Sequence, residues 1–428
     1  MSETMATCMA VAAGLGRGAF FTNVERPRRV AVAVVAAFVV AEAAVLLLRP
    51  RDGVIAPVPV DPRSYFTPAE LDRARDYRHG QLVLFAASTT IEAALLVWLV
   101  RSPPARLRGP FRRPVLVAAG AGAALSVGLA AAQLPIAAIS HHRSVDVGLS
   151  TQDWGPWLGD VAKSTAIGAA FAGVGAAAAL ALMRRLPRAW WVPGSVLAVG
   201  FATASIYLGP VVLDPVFNRF TALPEGRTRG DVLALARQAG VDVGQVYEVD
   251  ASRRTTASNA YVTGLGRTKR VVLYDNLLKD FSRDEIRLVV AHELGHVHYR
   301  DVPRGLLYVA LVAPVALFAA ALLTRRLAPP EPRPGPAALP ALALSVAVVS
   351  IGVSVVANQL SRRIEARADS YSLRLTDAPE PFVGFERGIA LRNVADPDPP
   401  AWLVALLATH PPTVDRIGIA KAFEAGAR

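Results

Sequence analysis

Ala291-His292-Glu293-Leu294-Gly295-His296 is the stretch on which the reading of this chain turns. Two imidazoles stand four residues apart, with a carboxylate beside the first. On an α-helix, positions i and i+4 share a face, so both rings can reach one metal ion. Zinc would then need a third protein ligand and keep a fourth position for water. Glu293, about a quarter-turn away, is placed to take a proton from that water. With 7 His among 428 residues, roughly 0.004 such patterns are expected by chance. The motif makes two demands: a helix beneath it and a third ligand elsewhere.

The sequence around it supplies the helix. Ser282 and Glu285 form an S-x-x-E capping box upstream, and the helix must end before Pro303. Further back, Asp231 to Ala239 reads as a helix with Val232, Leu233, Leu235 and Ala236 on its apolar side. Val246 to Val249 reads as a strand. Ala260 to Val262 and Arg270 to Tyr274 read as a hairpin across a Gly264/Gly266 turn. Residues 213–304 are therefore expected to form a small α+β unit.

The remainder is of another kind. Hydrophobic residues make up 53% of the chain and the mean hydropathy is +0.36, better explained by long apolar runs than by one large core. Such runs lie near residues 30–48, 81–100, 115–139, 164–183, 190–212, 306–323 and 337–357. Each is near the ~20 residues that a helix needs to cross the hydrocarbon. Basic residues and Ala41-Glu42-Ala43 would also suit a cleaved signal peptide at the first run. Its continuation through Leu46-Leu47-Leu48 favours an uncleaved span. The Ala/Gly-rich third and fourth runs allow close helix approach, and Pro135 is a candidate kink. Glu42 and Glu92 fall inside apolar runs and should face protein or water rather than lipid, without a role in chemistry.

The net charge of +12 does not point to nucleic acid, because the arginines cluster in short loops between apolar runs. Arg101, Arg106, Arg108, Arg112 and Arg113 share one loop, Arg184, Arg185 and Arg188 another, and Arg325, Arg326 and Arg333 a third. The opposite loops mix signs. The positive-inside rule places the N-terminus inside and residues 213–304 outside. Arginine outnumbers lysine 42 to 4, which fits a high-GC bacterial genome. The single cysteine, Cys8, excludes an internal disulfide and a thiolate metal cage, leaving His and carboxylates as ligands.

For the third ligand, His298 points about 160° from His296 on the helix and reads as a surface residue. Glu285 is explained by its cap. Glu365 and Asp369, four apart on a helix continuing from the seventh run, are better placed. One carboxylate could bind the metal while the other holds a ligand imidazole by its second nitrogen.

Here the chain resembles a family. H-E-L-G-H followed by two apolar spans and then S-R-x-x-E-x-x-A-D is similar to the type I CaaX prenyl endopeptidases, seven-span zinc proteases of the gluzincin kind. The similarity includes Asp214 to Asn218, Val249 to Arg254, Ser258-Asn259-Ala260-Tyr261, Val272 to Asp275, Thr409-His410-Pro411-Pro412 and Arg416, together with Gly148 to Lys163. It implies that His292, His296 and Glu365 ligate one Zn2+ per chain, that Glu293 activates water, and that Asp369 orients a ligand histidine. It implies that Asn259, with Ala260 and Tyr261, holds the substrate backbone along a sheet edge. By the same resemblance His410 and Arg416 bind substrate and stabilise the oxyanion. It also implies a water-filled chamber within the helices.

The expectation is a mainly α, polytopic membrane protein of about seven transmembrane helices with a zincin-like α+β catalytic subdomain. Its parts are a polar segment 1–29, five membrane helices in 30–212, the catalytic segment 213–304, two helices in 305–358, and a C-terminal segment 359–428. The expected function is a multi-pass cell-membrane zinc metalloendopeptidase whose partners are a peptide or protein substrate and the bilayer. In a bacterium the substrate is not expected to be prenylated. The alternative is a transport or scaffold protein with a structural metal site, for which Glu293 would have no use.

Overall fold

The computed structural model describes residues 27–264 and 269–427. All but the last three residues of the polar segment 1–29, including Cys8, and Gly266 of the expected turn lie outside these. Five long helices come first: α1 (Pro27–Leu48), α2 (Pro68–Arg101), α3 (Pro114–Asp146), α4 (Trp154–Arg185) and α5 (Trp191–Val212), the last continued by the single turn α6 (Asp214–Phe217). The polar unit follows with β1 (Phe220–Ala222), α7 (Arg227–Gln238), β2 (Gln245–Val249), β3 (Ala260–Thr263), β4 (Arg270–Tyr274), α8 (Asp275–Asp280) and α9 (Arg283–His298). Two more long helices, α10 (Asp301–Leu327) and α11 (Leu339–Thr376), precede three short ones, α12 (Pro379–Arg392), α13 (Ala401–Leu407) and α14 (Thr413–Glu424).

Among the described residues, seven helices are long and apolar enough to cross a membrane. Most run past the apolar stretch that announces them, carried on by polar turns at one end or the other. Thr67 and Glu70 cap α2 reciprocally, with Pro68 at the first helical position, and the added turns bury Leu71 against Phe66, Ala390 and Ile417. In the same way α11 carries on through 358, the boundary expected from hydropathy, to Thr376. The third-ligand segment is thus the rigid extension of a membrane helix.

The long helices form a closed circuit: α1 packs on α10 and α11, α10 on α5, α5 on α4, α4 on α3, α3 on α2, and α2 on α11. The α3–α4 pair is the tightest join. A Cβ on Gly122 would stand 2.5 Å from Ala176 Cβ and 2.6 Å from the Ala172 carbonyl, so only glycine permits this approach. Pro135 sits within an unbroken α3. Glu92 accepts from Gln133 Nε2 at 3.4 Å and Glu42 from Gln359 Nε2 at 3.1 Å, so both carboxylates face neighbouring helices.

The polar unit packs a four-stranded sheet, in order β1-β2-β4-β3, on α7 and α9. The expected hairpin of β3 and β4 is antiparallel, with Ala260 opposite Leu273 and Thr263 opposite Arg270. Beyond it, β2 joins β4 in parallel and β1 joins β2 antiparallel. Val246, Val271, Leu273, Leu277, Val290 and Leu294 are wholly buried between sheet and helices, each contributing roughly 1.5–3 kcal/mol of transfer free energy. The expected helix at Asp231 starts a turn earlier, at Arg227. β3 lies at the sheet edge and packs against α9.

Candidate active site

Helix α9 forms where the sequence predicts. Ser282 Oγ accepts from the Glu285 N–H and the Glu285 carboxylate accepts from the Ser282 N–H, completing the capping box. Ile286, Val290 and Leu294 bury one side under the sheet and Leu288 packs on Leu373 and Phe382 at the back, leaving His292, Glu293 and His296 turned to the site. Gly295 lets α9 lie against α11: a Cβ there would meet Tyr371 Cδ1 at 3.1 Å.

The two imidazoles converge by their Nε2 atoms, 3.2 Å apart, with ring planes at 84°. Glu365, on α11, brings its carboxylate between them. Its Oε2 is 3.2 Å from His292 Nε2 and its Oε1 is 3.6 Å from His296 Nε2. These three donors lie within 4.8 Å of one another and could hold a metal ion. Glu365 Oε2 is buried without a hydrogen-bond partner, as suits an atom meant for a cation.

Both Nδ1 atoms are occupied by acids. His292 Nδ1 is 2.9 Å from Asp369 Oδ1, and His296 Nδ1 is 3.1 Å from Asp301 Oδ2. Each ring can donate Nδ1–H to its carboxylate and turn an Nε2 lone pair inward. Asp369 matches the sequence expectation in position. Asp301 was not foreseen, because it begins the next helix. It is brought back under His296 by the left-handed backbone of Arg300, φ 57°. Burial works against a charged His292, yet Asp369 and Glu365 together push it up to about 10. A pocket that binds a proton so firmly is one that favours a cation.

Glu293 stands beside the two rings, with the Val262 backbone N–H of β3 near its carboxylate. Burial raises its pKa above the ordinary carboxylate range, against the pull of both imidazoles, which suits a group that must accept and return a proton. Because residues alternate along a strand, Ala260 and Val262 turn their backbone groups to the open edge, whereas Asn259 O accepts from Tyr274 N on the paired side. Asn259 is exposed, and its Oδ1 accepts from the Ala260 N–H at 2.9 Å. Ala260 buries its methyl in the core. Tyr261 donates to Asp214 Oδ2 at 3.1 Å, and burial and that acid raise its hydroxyl pKa.

His410 reaches the site from the loop before α14. Its Nε2 is 3.3 Å from Glu365 Oε2, and its side chain stays 58% exposed at the mouth of the site. Arg362 seats this loop by donating to the carbonyls of Val404 and Ala408 at 2.9 and 2.6 Å. Arg416 lies elsewhere than expected. Its Nε and Nη2 bind Asp369 at 2.8 and 2.5 Å, and its Nη1 lies 2.9 Å from Glu386 Oε2. With its nitrogens turned to two buried acids, the guanidinium backs the metal site instead of facing substrate. Glu386, only 1% exposed, was not foreseen either; a lone acid within the apolar face of α12 is its only trace in the sequence. His298 is exposed and stacks on Tyr371, outside the site.

Comparison with known proteins places the fold and the family. Residues 222–424 match peptidase family M48, and residues 55–219 match the CAAX prenyl protease N-terminal region of five membrane helices. The chain is 31% identical over 371 residues to the metalloprotease YhfN of Bacillus subtilis, covering 83% of this chain and 87% of that one. It is 31% identical over 231 residues to the CAAX prenyl protease 1 homolog of Oryza sativa, covering 52% of this chain and 53% of the relative. Its fold superposes on the crystal structure of S. mikatae Ste24p with a TM-score of 0.70 at 19% identity, over 91% of this chain and 98% of that one. Membrane helices, converging donors and these likenesses lead to one conclusion: the chain belongs to the membrane metalloproteases of family M48, with the CAAX prenyl proteases.

Proposed function

We propose that the chain is a zinc endopeptidase that cleaves a peptide bond held in extended form along the edge of β3. The observation that carries the reading is the convergence of His292, His296 and Glu365 with Glu293 beside them. Donor separations of 3.2, 3.2 and 3.6 Å compare with the ~3.4 Å edges of a tetrahedron with zinc–ligand bonds of about 2.0–2.1 Å. Two imidazoles and one carboxylate are a donor set typical of catalytic zinc. Bound there, zinc would supply Lewis-acid polarisation of the scissile carbonyl and an acidified water.

The chain's own residues do the rest. The outward-facing carbonyls of Ala260 and Val262 take the substrate as an added strand, with the exposed Asn259 amide at its end. That places the scissile carbonyl over the site and fixes its direction. Glu293 accepts a proton from the attacking water and hands it to the departing amine nitrogen. His410, at the site's mouth, donates to the oxygen that gains charge as the carbonyl becomes tetrahedral. Asp369 holds His292, and Arg416 holds Asp369.

We further assign the site to the outer face of the membrane. The arginine-rich loops all lie at the opposite end of the helices from it: α10 starts beside His296 and ends at Arg325 and Arg326, a rise of ~40 Å over its 27 residues. The positive-inside rule puts that end in the cytoplasm.

Glu293→Gln tests the chemistry. The variant should retain zinc by elemental analysis and lose cleavage of a quenched peptide by ~10²–10⁴-fold. Wild-type turnover in that variant would refute the role of Glu293.

A further inference from the structure

Asp301 is a buried acid of the site, in direct contact with a ring nitrogen, to which neither a sequence motif nor the proposed chemistry assigns a part. Its side chain is 6% exposed. One oxygen, Oδ2, is 3.1 Å from His296 Nδ1. The other, Oδ1, accepts from Arg304 Nη1 at 2.8 Å and from Arg367 Nη2. Arg367 is itself buried, only 5% exposed, with its guanidinium 4.0 Å from the centre of the Tyr299 ring. Four segments meet at this carboxylate: the last turn of α9, the Arg300 turn, the first turn of α10 and the extension of α11.

Two features separate this cluster from an ordinary helix-start acid. A carboxylate at a helix N-terminus is stabilised by the backbone dipole wherever it points, but this one is aimed at the ring nitrogen opposite the converging Nε2. The backbone also bends to allow it. Arg300 adopts the left-handed region, φ 57° and ψ 46°, which a residue with a Cβ rarely enters. That bend sets Asp301 back beneath His296, five residues on. Arg367 lies two residues beyond Glu365 on α11, so the helix that presents the third donor also grips the acid that orients the second.

We propose that Asp301 is a positioning residue of the metal site: it fixes His296 as the Nδ1–H tautomer with Nε2 inward, and Arg367 anchors it from α11. The inference rests on the zinc reading above and extends it. His292 and His296 then have separate supports, Asp369–Arg416 for one and Asp301–Arg367 for the other. Both run to α11, so the helix that carries Glu365 also carries a support for each ring.

The test is the zinc dissociation constant of purified full-length protein, measured by competition with a chromophoric chelator, alongside the melting temperature of the metal-free form. Asp301→Ala should weaken zinc binding by ~100-fold and the isosteric Asp301→Asn by ~10-fold, the range expected for groups that orient metal ligands. Should the alanine variant not fold, the asparagine variant decides. Zinc affinity in Asp301→Asn within about twofold of wild type, far below that range, would overturn the proposal. A lower metal-free melting temperature with that affinity retained would do the same, by showing a purely structural ion cluster. Failure of the wild type to bind zinc would overturn the zinc reading as well, and so is distinguishable from failure of Asp301 alone.

Discussion

At the scale of single residues the proposed function divides the site into donors, a base and supports, and each class predicts a different loss. Glu365 supplies a donor oxygen that has no hydrogen-bond partner of its own. Glu365→Ala should therefore lose zinc, and unchanged metal content by elemental analysis would remove it from the ligand set. His410 is 3.3 Å from that same carboxylate but largely exposed, a position from which it can meet substrate without holding metal. His410→Ala should keep zinc and lower kcat by ~10²–10³-fold, as removal of an oxyanion donor does. Loss of zinc instead would make His410 a ligand. Arg416 belongs with the supports, since burial opposes its charge while Asp369 and Glu386 hold it firmly protonated.

Among elements, the contact of α9 with α11 governs whether the donors meet. Gly295 is where the two helices approach, with room for no more than a small shift of Tyr371 before a Cβ clashes. Gly295→Val should push α11 off α9, at ~1–3 kcal/mol of overpacking, and reduce zinc content. Helix α12 adds a pH-dependent element. Burial pushes Glu386 up to about 7, offset in part by Arg416 and reinforced by Asp369. One guanidinium does not neutralise two buried carboxylates. The folded protein thus keeps a proton that the unfolded chain releases near its ordinary carboxylate pKa of about 4.3. Stability from this group is complete below that value and declines as pH rises toward 7. Melting curves across that interval should fall with pH in the wild type, and the slope should be shallower in Glu386→Gln. Equal slopes would show that Glu386 does not titrate there.

At the scale of the molecule, the membrane helices take part in building the site, because Glu365, Arg367 and Asp369 all ride on the extension of α11. The proposed orientation predicts that Cys8 resists a membrane-impermeant thiol reagent in intact cells and reacts once they are lysed. Labelling of intact cells would reverse the topology. Much of this was legible in the sequence. The seven helices announce themselves as runs of about 20 apolar residues, and His292, Glu293 and His296 as a helical i, i+4 pattern. The capping box at Ser282 and Glu285 fixed where that helix starts. These are local signals, set by the period of a helix and the thickness of a bilayer. Glu365 and Asp369 were reached through the spacing of a familiar motif, with two membrane spans between them and the histidines. What no local period encodes is the parallel join of β2 to β4, the turn of Arg300 that puts Asp301 under His296, and the withdrawal of Arg416 between Asp369 and Glu386. The first and last depend on groups far apart in sequence, 47 residues for Arg416 and Asp369, becoming neighbours and excluding water together; the Arg300 turn is local, but the acid it places is gripped by Arg367, 66 residues on. Sequence alone determined the H-E-x-x-H motif, its helix and the membrane spans; tertiary packing decided which buried charges hold the two imidazoles in place, because a buried charge is stable only beside the partner that packing brings to it.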